Sequence, residues 1–132
     1  MTIYQTSGNP YGHIIMRGGK QPNYHAEDIA AACDALREFD LPEQLVVDFS
    51  HGNCQKQHRR QLDVCDEICQ QIRSGSTAVA GIMAESFIKE GTQKIVAGQQ
   101  MVYGQSITDP CLSWEDSELL LEKLAAAVDT RF

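Results

Sequence analysis

Four side chains in this 132-residue sequence have the types and spacing to do chemistry together: Arg17, His51, Glu85 and Asp109. One imidazole and two carboxylates make a donor set that suits Mn, Fe, Co or Zn while leaving positions for water or substrate. Arg17, followed by Gly18, Gly19 and Lys20, puts a fixed cation beside flexible backbone, where a guanidinium suits two-point contact with phosphate or carboxylate. Each residue also has an ordinary reading. A histidine after a strand is commonly a solvated loop residue, Asp109 in SITDPC could be a turn or helix cap, and Arg17 could pair with a neighbouring acid. Glu85 is less ordinary, because it ends an apolar run and a carboxylate buried without a partner is costly.

What would gather these residues is the pattern of the elements before them. The apolar run in HIIMRGGK leads to Arg17, that in LVVDFSH to His51 and that in AVAGIMAES to Glu85, with 34 positions from Arg17 to His51 and 34 from His51 to Glu85. That is about the length of a strand, a crossover helix and their loops. In parallel α/β folds the carboxyl ends of the strands carry the chemistry, so the three would meet at one face although far apart in sequence. On the LVVD strand, Asp48 and Ser50 point opposite to Phe49, which lets Asp48 orient a ligand from behind.

Along the chain, Thr2 to Gln5 has a short strand possibility before a Ser-Gly-Asn-Pro turn. Ile29, Ala32, Cys33 and Leu36 recur at helical spacing and predict a helix over 24–39. A second helix is predicted from about Lys56 to Ser74, ending at Gly75, where a left-handed residue costs least. Thr77 to Met83 is apolar almost throughout, which predicts a parallel strand buried on both faces. A long loop follows Glu85, of the kind that usually serves as a lid or binding loop. The last helix runs from about Ser113 to Val128, with Leu119, Leu120, Leu124 and Val128 on one side. A closed barrel needs about eight such βα units, and this chain has three. The pattern leaves open whether they form an open three-layer sheet or the C-terminal part of a larger barrel.

Composition narrows the function classes. A chain with 42% hydrophobic and 22% charged residues is ordinary for one soluble domain. Its longest apolar stretches fall short of the roughly 20 residues of a membrane helix, and MTIYQTSGNP has no secretory core, so a cytoplasmic location is expected. A net charge of -7 repels phosphate backbones, and the one basic cluster, Lys56 to Arg60, is short, which argues against nucleic acid. That cluster reads as a solvated basic turn. The five cysteines are odd in number and lack framework spacing, so no disulfide set is expected. Cys65 and Cys69, four apart beside Val64, Ile68 and Ile72, read as small core residues rather than a soft-metal pair. Cys54, near His51, lacks a third group to orient it as a nucleophile.

The blocks GHIIMRGGKQPNYHAEDI, LVVDFSHGNCQKQHRRQLDVC, GIMAES, EGTQ, YGQSITDPC and WED, in that order, resemble the C-terminal part of a class I 3-deoxy-D-arabino-heptulosonate 7-phosphate (DAHP) synthase, nearest the tryptophan-sensitive type. The resemblance covers essentially the whole chain. It implies a TIM (β/α)8 barrel of which residues 13–132 would be the last three βα units, with residues 1–12 a remnant of an inserted hairpin and Met1 an internal start. It also implies condensation of phosphoenolpyruvate with erythrose 4-phosphate at the start of the shikimate pathway, with a divalent metal required. Position by position, His51 of DFSH, Glu85 of MAES and Asp109 of SITD would ligate the metal, and Arg17 of MRGG would bind phosphoenolpyruvate. The family's remaining ligand is a cysteine on the first barrel strand, and most of its other substrate-binding cations lie on earlier strands. Those motifs are not found here, and none of this chain's cysteines replaces the missing ligand. The resemblance therefore implies a partial barrel that is inactive alone and that pairs with the rest of the barrel or self-associates. The alternative is a non-catalytic partial-barrel interaction or metal-binding module. A small open-sheet metal-dependent lyase would need a fourth ligand that the sequence does not offer.

Overall fold

In the computed structural model, residues 2–131 are described; Met1, read above as an internal start, lies outside them. The element order is β1 (Ile14–Met16), α1 (Ala26–Glu38), β2 (Leu45–Asp48), α2 (Arg60–Arg73), β3 (Val79–Met83), β4 (Lys89–Thr92), β5 (Gln105–Ser106) and α3 (Trp114–Asp129). Strands β1, β2 and β3 form one parallel sheet in that order, with Ile15 opposite Val46 and Val47 opposite Ile82. Two helical crossovers join them, as parallel pairing requires.

The core lies on one face of this sheet. Leu45, Val47 and Phe49 point from the β2 segment into a cluster with Ile29, Cys33 and Leu36 of α1, and with Val64, Cys65, Ile68 and Ile72 of α2. Cys69 of α2, Leu112, and Leu120 and Ala127 of α3 also belong to it. Burying each of the larger aliphatic side chains contributes about 1.5–3 kcal/mol, which is what holds the helices on the sheet. Local signals fix where the helices begin and end. The His25 backbone N–H donates to the Asp28 carboxylate at the start of α1 (3.2 Å), and Ser113 Oγ accepts from Asp116 N–H at the start of α3 (3.1 Å). Beyond α2, Gly75 adopts φ +97°, the left-handed stop its position predicted.

Several expectations need correction. Residues 2–5 form no strand, and no described residue pairs with them in a sheet. Helix α2 begins at Arg60 rather than Lys56, because residues 51–56 are taken up by turns in which His51, Gln55 and Lys56 hold positive φ. The segment after Glu85 is not plain loop: β4 and β5 pair in parallel within it. Strand β3 is not buried throughout, since Ala80 and Met83 are exposed. On α3, Leu119 and Val128 are partly exposed, and Leu120, Leu124 and Ala127 make the packed face instead. No helix among the described residues is long and apolar enough to cross a membrane.

Candidate metal centre

The site is built from the carboxyl ends of β2 and β3 and the loop after β5. His51 leaves β2 in a left-handed conformation, φ 50°, which turns its ring back over the strand end. There Nδ1 meets the buried Asp48 carboxylate at 2.7 Å. Asp48 is held in turn by the Ser50 N–H (2.8 Å) and the Ser50 hydroxyl (2.6 Å). With Nδ1 engaged as a donor to a carboxylate, Nε2 is left as the free lone pair, the arrangement that suits a metal-ligating histidine. Nε2 lies 3.6 Å from Glu85 Oε1.

One ligand atom each from His51, Glu85 and Asp109 can be chosen such that all three lie within 4.8 Å of one another. His51 and Glu85 are half-buried and Asp109 is exposed. Burial pushes the Glu85 carboxyl up; the His51 imidazole and Arg17 oppose this, and the Asp109 and Asp48 carboxylates add to it. Carboxylates held this close to one another in a partly desolvated hollow favour a cation between them. The nitrogen-and-oxygen donor set, its separation and the oriented imidazole all fit a divalent ion.

Three polar residues that periodicity passed over fix these ligands in place. Gln61, at the start of α2 and fully buried, accepts from the Glu85 N–H (2.9 Å) and donates to the Glu85 carbonyl (3.1 Å). Asn53, also buried, donates to the carbonyls of Met16 (3.0 Å) and Asp48 (2.7 Å), tying the end of β1 to the end of β2. Thr92 of β4 donates to the carbonyls of Ser106 and Thr108 (3.2 and 2.8 Å), which braces the loop that carries Asp109. The only hint in the sequence was Gln61, a polar residue in line with the Val64–Cys65–Ile68 stripe.

Arg17 sits beyond β1, and the Gly52 N–H donates to its carbonyl at 3.1 Å. The two loops touch through glycine: a Cβ on Gly52 would lie 2.6 Å from the Gly18 carbonyl carbon. Only residues without a side chain allow this approach. The result is a cleft of about 610 Å³ lined by Arg17, Gly18, Gly19, Lys20, His51, Gly52, Gln55 and Lys56. No acid lies within ion-pair distance of Arg17 among the described residues, though it is near enough to Glu85 to favour that carboxylate's charged form.

The remaining candidates are structural. Cys54 is buried and its thiol is pushed up mainly by burial, which disfavours the thiolate that a nucleophile needs. Cys65 and Cys69 are buried with Sγ atoms 3.8 Å apart, and the Cys65 thiol is pushed up to about 12 by burial first and Cys69 second. The basic cluster is not simply solvated: His58 and Arg59 both meet Glu90 (3.3 and 2.8 Å), and Arg59 also reaches Asp116 (3.3 Å), pinning β4 to α2 and α3.

A sequence profile of the DAHP synthetase I family matches residues 1–122. The chain belongs to this family. It is 86% identical over its whole length to the Trp-sensitive phospho-2-dehydro-3-deoxyheptonate aldolase of Salmonella typhi and 83% identical to that of Escherichia coli (strain K12). Among solved structures, the phospho-2-dehydro-3-deoxyheptonate aldolase of Francisella tularensis SCHU S4 superposes with a TM-score of 0.91 at 39% identity, over 99% of this chain and 38% of that one. The chain likewise spans 38% of the length of the Salmonella and Escherichia relatives. Family membership agrees with the resemblance read from the DFSHGN, MAES and SITDPC blocks.

Proposed function

We propose that this chain supplies the last three βα units, residues 13–132, of a DAHP synthase TIM barrel, with residues 1–12 the remnant of an inserted hairpin. In this reading the completed enzyme condenses phosphoenolpyruvate with erythrose 4-phosphate in the cytoplasm. His51, Glu85 and Asp109 hold its divalent metal, and Arg17 binds phosphoenolpyruvate. The observation that supports this most is the convergence of three donors from three separate segments within 4.8 Å. A divalent ion held there would supply Lewis-acid polarisation of an aldehyde oxygen. The chain's own contributions are positional. Asp48 keeps the His51 ring in the tautomer that leaves Nε2 free, Gln61 fixes the backbone that carries Glu85, and Arg17 offsets substrate charge so that two anions can approach.

The exposed residues of β3 and the partial exposure of Ile14 and Ile15 on β1 are apolar surface that the rest of a barrel, or a second copy of the chain, would cover. The isolated chain is therefore expected to turn over negligibly. The test mixes it with the complementary N-terminal segment of the Escherichia coli relative and follows phosphate release from the two substrates with Mn added. Activity in the mixture that His51→Ala abolishes supports the reading. Co-eluting segments that stay inactive would overturn it, and robust turnover by the chain alone would overturn the partial-barrel assignment.

A further inference from the structure

A histidine and two arginines, His58, Arg59 and Arg60, stand where helix α2 begins. A helix N-terminus carries partial positive charge and favours acids, so this placement is unfavourable unless acids from other elements offset it. Arg59 finds two. Its Nη1 lies 2.8 Å from a carboxylate oxygen of Glu90 on β4 and 3.3 Å from one of Asp116 in the first turn of α3. His58 meets the same Glu90 oxygen at 3.3 Å.

The elements that Arg59 joins are those on either side of Asp109. Gly91, next to Glu90, exchanges both backbone hydrogen bonds with Cys111, at 2.8 and 3.1 Å. Beyond Cys111, helix α3 starts at Trp114, and Asp116 N–H donates to Ser113 Oγ at its cap. One guanidinium nitrogen thus connects the strand that pairs beside Asp109 to the helix that follows it. The same stretch of chain mounts the other two donors. His51 opens the turns that lead into α2, and Gln61, two residues beyond Arg59, holds the Glu85 backbone. Asp109 is the exposed member of the three and so has the least packing to fix it.

We infer that Arg59 is a positioning residue for the metal centre: by tying β4 and α3 to the start of α2, it sets where Asp109 stands relative to His51 and Glu85, and with it their joint affinity for a divalent ion. The inference rests on the reading of those three residues as metal ligands. Arg59 acts through Glu90 and Asp116, not on the ion. Its side chain is 60% exposed, so the bridge adds little to global stability and its effect is local.

Calorimetric titration of the intact chain with Mn at low salt tests it. Arg59→Gln is expected to bind Mn about fivefold more weakly, with a urea midpoint within about 0.5 M of wild type. Arg59→Lys should stay within about twofold of wild type, because one nitrogen makes both contacts and an ammonium can replace it. Arg37→Gln, which removes an equally exposed arginine paired with Asp34 and Glu43, should change nothing. At about 0.5 M KCl the gap between wild type and Arg59→Gln should nearly vanish, as screening predicts. In hydrogen exchange, the Gly91 and Cys111 amides should open faster in Arg59→Gln while amides in the middle of α1 do not. If wild type binds Mn and Arg59→Gln binds it equally well, the inference falls while the ligand assignment stands. Arg59→Lys as weak as Arg59→Gln would also overturn it, because packing of the side-chain stem would then be the cause. If wild type binds no Mn, the ligand assignment falls and the inference with it.

Discussion

Replacing Gln61 with leucine separates a positioning role from mere occupancy of the core. The Gln61 amide is fully buried and makes two hydrogen bonds to the Glu85 backbone, of 2.9 and 3.1 Å. Leucine fills similar space but leaves the Glu85 N–H without a partner. The Glu85 carbonyl keeps its bond from Leu112 N–H at 2.9 Å, so it is only partly deprived. An orphaned N–H costs about 1–3 kcal/mol, and the net expectation is about 2 kcal/mol of destabilisation. With a urea dependence of about 2 kcal/mol per M, the unfolding midpoint should fall by about 1 M. The more specific reading is local. The Glu85 amide should exchange with solvent deuterium much faster in Gln61→Leu than in wild type, while amides in the middle of α1 slow or quicken only with global stability. Equal protection of the Glu85 amide in both proteins would refute the claim that Gln61 fixes this strand end.

Three further outcomes follow from the same geometry. Asp48→Asn presents an amide to His51 Nδ1, no longer enforces the tautomer with Nε2 free, and should weaken Mn binding by about 10–100-fold in calorimetry with little change in circular dichroism. Gly52→Ala would push a Cβ to 2.6 Å from the Gly18 backbone and 2.7 Å from Gly19 N, so the two loops must part; a loss of about 3 kcal/mol in urea unfolding is expected. The Glu90 carboxyl is held below its usual range by hydrogen bonds from His58 first and Arg59 second. Its contribution to stability is therefore present above the unfolded value of about 4.3 and is lost as pH falls through the lower folded value. Glu90→Gln should thus be less stable than wild type at pH 6, and the gap should close as pH falls through the lowered folded value.

The sheet and helices were legible because burial imposes a period. The runs IIM, LVVD and VAGIM are apolar enough to read as strands, and Ile29, Cys33 and Leu36 mark the buried face of α1. Convergence of His51 and Glu85 followed from the equal spacing of those strands. Other features left no such trace. The turns that delay α2 depend on positive φ at His51, Gln55 and Lys56, residue types that rarely signal it. Strands β4 and β5, KEGT and QS, have few strand-forming residues and are held by side chains instead: Gln93 bonds Val102 and Gln105, and Thr92 bonds Ser106 and Thr108. The apolar content of β3 correctly marked a strand but could not say what lies on each face, because burial depends on layers the strand does not itself encode.

The central claim is that His51, Glu85 and Asp109 share one divalent ion, and Mn titration of the chain by calorimetry tests it most directly. One ion per chain is predicted, with binding lost in each of His51→Ala, Glu85→Ala and Asp109→Ala while the fold is retained. Undiminished binding in any one of the three variants, or no binding at all by the wild-type chain, would contradict it.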